Sequence, residues 1–166
     1  MKYNASLDIL AKIITLVTIL LFIWLGYVSI MKIAASPGNT RQVIAHSVLI
    51  AFYVAVVAGC YLYAPGSYET TSDRLMISRP VRTIIIDRKD IIEARALDPK
   101  ELTGLVRTFG VGGLFGYYGR YYNSTIGAMV FFTTQRKNRI LIRTRQGVNF
   151  VLSPDDLSLA KDIVGM

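Results

Sequence analysis

Histidine and cysteine each occur once in this 166-residue chain, as His46 and Cys60. A lone cysteine excludes a disulfide within the chain. One of each excludes a zinc centre built from Cys and His ligands alone. His46 sits inside an apolar run, so no Ser-His-Asp triad is available. No Gly-Lys pair occurs, which removes the Walker A phosphate loop. Gly110-x-Gly112 is followed by Phe115 where the dinucleotide fingerprint needs a third glycine. Acidic residues are scarce as well, 11 against 19 Lys and Arg, for a net charge of +8. The adjacent pair Asp155 and Asp156 reads as a helix start, and Asp90 with Glu93 as solvated surface. The chain is therefore read as a non-enzyme, with no catalytic residue, no cofactor and no metal. Its positive balance points to anionic surfaces, and beside membrane segments to lipid headgroups rather than nucleic acid.

Charge is missing altogether from two long stretches. Ile13–Met31 has none over nineteen residues and is bracketed by Lys12 and Lys32. At about 1.5 Å per residue this run covers the roughly 30 Å hydrocarbon core of a bilayer. A cleaved signal peptide is the lesser reading, because Lys32 separates the run from the small residues Ala34 and Ala35. Ser36-Pro37-Gly38-Asn39 supplies a turn. Val43–Ala64 is a second uncharged stretch, ended by Pro65-Gly66. Residues 1–64 thus read as a two-helix transmembrane hairpin, with spans at about 13–31 and 43–64. Two spans put both termini on one side. Lys2, Lys12, Arg74, Arg79 and Arg82 on that side outnumber Lys32 and Arg41 in the connecting loop, so both termini are expected in the cytoplasm of a bacterial cell, with the hairpin in its inner membrane.

On the second span Ser47, Ala51, Ala55 and Gly59 recur every fourth residue and form a stripe of small side chains. Such stripes let helices approach closely in lipid. The expected partner is the first helix of the same chain; a second copy or another protein is the sharper reading. His46, without a carboxylate in either span, reads as a satisfied interfacial histidine.

Residues 65–166 are long enough for a small domain with its own core. Tyr68–Pro80 predicts a strand pair turning at Ser72-Asp73, and Arg82–Asp87 a further β-rich run. Ile91–Leu97 is ambiguous between strand and helix, and Pro99–Arg107 predicts a short helix capped by Asp98. Six of the thirteen glycines fall between Gly110 and Gly127, interleaved with Phe115, Tyr117, Tyr118, Tyr121 and Tyr122. That mixture predicts a shaped loop with aromatic anchors. Ala128–Thr134 is a buried strand, and Ile140–Arg145 with Val148–Leu152 a β-hairpin turning at Gln146-Gly147. Ser153-Pro154-Asp155-Asp156 predicts the N-cap and first turn of a closing helix, with Leu159, Ala160, Ile163, Val164 and Met166 on its apolar side. Strands first and one helix last make an α+β or capped-barrel domain.

The order of these features resembles the bacterial pleckstrin-homology-like (PH-like) domains found behind membrane helices. The resemblance rests on Leu75-Met76-Ile77, on Gly112-Gly113-Leu114-Phe115-Gly116-Tyr117, on Tyr122-Asn123-Ser124, on Phe131-Phe132-Thr133-Thr134, and on the hairpin ending in Ser153-Pro154-Asp155-Asp156. It covers about residues 65–166. It implies a strongly bent sheet or partly open barrel capped by the C-terminal helix, and a binding role rather than catalysis.

Two groups of residues are then candidate surfaces. Arg136, Lys137, Arg139, Arg143 and Arg145 are cations with no acid among them, suited to an anionic ligand or lipid. Gly112, Gly113, Phe115, Gly116, Tyr117, Tyr118 and Arg120 form a candidate partner loop. The functional expectation is a membrane-anchored binding module recognising a protein segment or an anionic lipid. The alternative is an oligomeric scaffold or accessory subunit that assembles through the small-residue stripe and the glycine-aromatic stretch.

Overall fold

A computed structural model describes residues 1–164; Met166, expected on the closing helix, lies outside the described residues. The chain opens with a three-residue strand, β1 (Lys2–Asn4), too short to show a pattern in sequence. Asp8 caps α1 (Ile9–Ala35) by accepting a hydrogen bond from the Ala11 amide at 2.7 Å. Asn39 caps α2 (Thr40–Tyr63) in the same way, from the Gln42 amide at 3.2 Å. The two helices pack against each other, with Phe22 stacked on Tyr53 at 5.1 Å. Most of their other large apolar side chains, among them Leu16, Leu20, Trp24, Val48 and Phe52, are exposed. An ordinary surface helix hides its apolar stripe against a core. These helices are apolar on nearly every side and are candidate membrane anchors, each long and apolar enough to cross a bilayer.

The remaining strands build two sheets. β1 pairs antiparallel with β2 (Ser67–Thr70), setting Tyr3 opposite Tyr68. The chain before α1 and the chain after α2 are thereby joined, so the two outer helix ends lie on the same side as the domain. β3 (Arg74–Ser78) and β4 (Ile84–Asp87) complete a four-stranded meander in the order β1-β2-β3-β4. The ambiguous run becomes a strand, β5 (Ile91–Ala96), because it pairs with a central strand of the second sheet. The helix expected over Pro99–Arg107 is only a single 3₁₀ turn at Pro99–Leu102. Asp98 does cap it, but Gly104 turns at φ +69° and the chain then becomes extended.

The largest correction concerns the glycine-rich stretch. It is not a loop between strands but a long hairpin, β6 (Val106–Gly113) and β7 (Gly116–Asn123). Gly110 and Gly119 face each other across it at φ +121° and +127°. A Cβ on Gly110 would lie 2.7 Å from the Gly119 Cα, so the glycines serve close approach of two strands. Only Leu114 and Phe115 turn the tip, Phe115 at φ +57°.

β8 (Gly127–Thr133), β9 (Ile140–Thr144) and β10 (Asn149–Leu152) finish the sheet in the order β5-β9-β10-β8-β7-β6. β10 returns from its hairpin with β9 to lie parallel to β8. The main core lies between the sheets: Tyr68, Leu75 and Ile77 meet Phe132, Ile140, Ile142 and Leu152. The closing helix α3 (Ser158–Val164) adds Leu159, Ala160 and Ile163. A smaller core on the opposite face gathers Tyr121, Met129, Phe131, Leu141 and Val151 beneath Leu102 and Leu105. The alternation of β9 is thus satisfied on both faces, Ile140 and Ile142 on one and Leu141 on the other.

The two sheets do not close into a barrel; the architecture is α+β. Ser153 is not the cap of α3, which starts five residues later. It is buried, and its hydroxyl accepts from the Thr134 amide at 2.8 Å and the Gln135 amide at 3.2 Å. The first-turn role falls to Asp156, which accepts from the Ser158 amide at 2.8 Å. A serine beside proline serves the strand end here because its backbone N–H is itself held by the buried Tyr68 hydroxyl at 3.1 Å.

Candidate functional site

The tip of the β6–β7 hairpin is seated on the helices. The Phe115 amide donates to the Thr15 hydroxyl of α1 at 2.9 Å, and that hydroxyl donates to the Gly113 carbonyl at 3.4 Å. The Phe115 ring meets Tyr61 of α2 edge to face at 5.5 Å. Gly113 packs on Ile14; an added Cβ would lie 2.5 Å from its Cδ1. The Tyr118 hydroxyl donates to the Cys60 carbonyl, closing the last turn of α2 onto the sheet. Burial first, and then the neighbouring Cys60 side chain, push the Tyr118 phenol well above its ordinary range, so it stays a donor. Candidate residues Gly113, Phe115 and Tyr118 are therefore engaged by the chain's own helices, and Tyr117 by the cap of α1; Gly116 packs on Thr133 of β8, while Gly112 and Arg120 are exposed.

Asp8 ties the same junction from the other side. Its carboxylate accepts from the Tyr117 hydroxyl at 3.2 Å, from the Arg136 amide at 3.1 Å and from the Arg136 guanidinium at 3.3 Å, besides capping α1. Burial alone would raise its pKa, but the hydrogen bonds from Ala11, Arg136 and Tyr117 prevail and hold it below the ordinary carboxylate value.

The five candidate cations are not one free face. Arg136 is held by Asp8. Arg143 pairs with Glu93 at 3.2 Å, and the Arg145 guanidinium donates to the Lys89 carbonyl at 2.9 Å. Lys137 is exposed. Arg139 lies half-buried over the Phe131 ring at 5.4 Å, and its Nε has no hydrogen-bond partner among the described residues. Burial lowers its pKa from the usual arginine value. Nearby, Arg95 bridges Glu93 at 2.7 Å and Glu101 at 2.6 Å, and this hydrogen-bonded pairing draws the Glu101 carboxyl down to about 2.

The stripe of Ser47, Ala51 and Ala55 is exposed, with Gly59 half-buried. Most of the half-buried positions of α2 lie elsewhere, with Val43, His46, Ile50, Tyr53 and Val57 recurring by three and four. The expectation that the stripe packs on the first helix is overturned: the larger residues do so, led by Tyr53 on Phe22. His46 was expected to be satisfied; its Nδ1 is buried without a hydrogen-bond partner among the described residues.

Sequence reasoning gave no site role to Thr15, Asp8, Tyr61 or Arg79. Nothing in a span marks a lone threonine as a ligand for a distant strand. Asp8 carried a signal, being a capping residue ahead of an apolar run. Arg79 follows β3, with its guanidinium between the Tyr63 ring at 5.6 Å and the Phe132 ring at 5.4 Å. It forms one wall of a groove of about 600 Å³ between the end of α2 and the β6–β8 surface.

No curated protein and no solved structure matches the chain. Residues 66–163 match the family described as bacterial PH domain, the stretch that contains β3, the seated hairpin and the closing helix. By that match, which covers more than half of its length, the chain belongs to the bacterial PH domain family.

Proposed function

We propose that this chain is a non-enzymatic, membrane-anchored binding module. Its PH-like domain meets an anionic lipid, or a protein segment, at the cytoplasmic face of the bacterial inner membrane. The observation that carries the reading is the seat of the glycine hairpin on Thr15 and Tyr61. A domain tied at two helix ends is held against the bilayer surface, where a lipid or a juxtamembrane segment is at high effective concentration. Lys137 and the partnerless Nε of Arg139 are the cations of the candidate cluster left for a ligand. The five Lys and Arg on the domain side, against two in the connecting loop, support a cytoplasmic orientation.

The test is the thermal stability of the full chain in phosphatidylcholine nanodiscs with and without phosphatidylglycerol. A module that binds anionic lipid in its folded state is stabilised in proportion to occupancy. We expect a higher midpoint with phosphatidylglycerol and a single chain per disc. Equal midpoints together with a defined oligomer would instead support the scaffold reading.

That second reading rests on the exposure of Ser47, Ala51 and Ala55. A small-residue stripe not used against α1 is a surface on which another helix can pack closely.

A further inference from the structure

The groove between the end of α2 and the hairpin is separate from the Arg136–Arg145 cluster. Its floor and walls are largely apolar, with Phe109, Tyr118 and Phe132 among the lining residues. Its volume of about 600 Å³ falls in the range of roughly 300–1,000 Å³ usual for small-molecule sites. Two arginines stand on it, Arg79 and Arg120, and no carboxylate lines it. Neither arginine forms an ion pair among the described residues. Arg79 uses Nε to donate to the Arg82 carbonyl at 3.0 Å, while its ring contacts hold the guanidinium in place. Its two terminal nitrogens have no hydrogen-bond partner among the described residues.

Phe109 is 76 % exposed and belongs to the apolar lining of the groove. One wall is the last turn of α2, through Gly59, Cys60 and Tyr63, where a membrane-crossing helix leaves the hydrocarbon. An apolar trough with two guanidinium groups that have no carboxylate partner among the described residues matches, at that depth, a molecule with one anionic end and one hydrocarbon end. Arginine binds phosphate through parallel N–H donors, and a soluble anion has no use for the trough.

We propose that this groove binds one anionic phospholipid, its phosphate on Arg79 and Arg120 and an acyl chain against Phe109 and Phe132. The inference rests on the binding-module reading and adds to it a lipid site apart from Lys137 and Arg139.

The test uses the full chain, purified in mild detergent and offered equal amounts of phosphatidylglycerol and phosphatidylcholine of matched chain length. Native mass spectrometry reads the lipid retained. The expected result is one phosphatidylglycerol per chain, at least tenfold preferred. Arg79→Gln with Arg120→Gln should abolish that preference, and Gly59→Leu should reduce retention with both arginines present. Gly59 lines the groove and a Cβ there meets no atom within 4 Å, so the backbone accepts a side chain at that position. Arg74→Gln, at the exposed pair with Asp87, should change nothing. Glycerol 3-phosphate at the same concentration should not compete.

Undiminished retention in the double arginine variant and in Gly59→Leu would overturn the groove assignment. If those variants also keep their stabilisation by phosphatidylglycerol in nanodiscs, the binding-module reading survives without it. Displacement by glycerol 3-phosphate would overturn the acyl-chain part. No phosphatidylglycerol preference in the unmodified chain would overturn the groove, and equal nanodisc midpoints would overturn lipid recognition as well.

Discussion

Thr15 of the first helix and Phe115 at the tip of the glycine hairpin are joined by a 2.9 Å hydrogen bond, a hundred residues apart in sequence. The hydroxyl passes the connection on to the Gly113 carbonyl. Thr15 is 8 % exposed, so this exchange takes place out of water. A polar pair there must be complete, because an unmatched buried donor costs about 1–3 kcal/mol.

Thr15→Val keeps the shape and removes both hydrogen bonds. The Phe115 amide is then left without its partner. Hydrogen exchange across Gly112–Gly116 is expected to accelerate about tenfold or more, the factor that corresponds to about 1.4 kcal/mol. Exchange in β9 and β10, which belong to the sheet interior, should not change. Unchanged protection at the tip would show that the seat does not depend on this pair.

Gly110 and Gly119 give a second prediction. Both hold positive φ, and each would drive a Cβ into the opposite strand. Gly110→Ala should destabilise the domain by at least about 1 kcal/mol through backbone strain alone, with the clash in addition. Gly66→Ala is the control, since its nearest atom would be the Ser78 carbonyl oxygen at 3.8 Å. Thermal melts of the two variants in detergent separate the cases. Equal melting would contradict the close approach.

Acid is expected to loosen the domain. Asp8 and Glu101 both have folded pKa values below their ordinary ones, Glu101 falling from 4.5 to about 2. A depressed carboxylate contributes stability that is complete above its unfolded pKa and is lost as pH falls through the folded one. The melting midpoint should therefore drop between about pH 4.5 and 2. Glu101→Gln should flatten the drop, at the expense of a lower midpoint near neutrality. A midpoint that does not respond to acid in this window would contradict the Arg95–Glu101 pairing.

Tyr68 is fully buried between the sheets; its hydroxyl donates to the Phe132 carbonyl at 2.6 Å and accepts from the Ser153 amide at 3.1 Å. Burial is the main reason its phenol is pushed up to about 12. Tyr68→Phe leaves a carbonyl and an amide unpaired and should cost about 1–3 kcal/mol. A denaturation series with the full chain measures it. A loss near zero would mean that Phe132 and Ser153 find other partners.

Much of the fold could be read from local pattern. The two uncharged runs gave the helices, and alternation in Ile140–Thr144 gave a strand with two buried faces. What escaped was set by partners far away. β1 exists only because Tyr3 meets Tyr68, and β5 is a strand only because β9 lies beside it. The glycine-aromatic stretch looked like a loop because glycine is rare inside strands; here two strands come too close for any side chain at Gly110 and Gly119. The basic cluster was legible as composition, but its pairing was not: Asp8 and Glu93 reach Arg136 and Arg143 from distant positions. Small residues on α2 suggested a helix interface, yet the aromatic pair Phe22–Tyr53 claimed that contact.

The most direct test of the account is the hairpin seat itself, in membranes from cells expressing the full chain. Tyr61→Cys with Phe115→Cys, on a Cys60→Ser background, places one thiol on the helix end and one on the tip, where the native rings are 5.5 Å apart. A short bis-maleimide should crosslink them within one chain, at monomer mass, and Tyr27→Cys with Phe115→Cys should give nothing. No crosslink in the first pair, with both thiols reactive, would contradict a domain fixed on its own membrane helices.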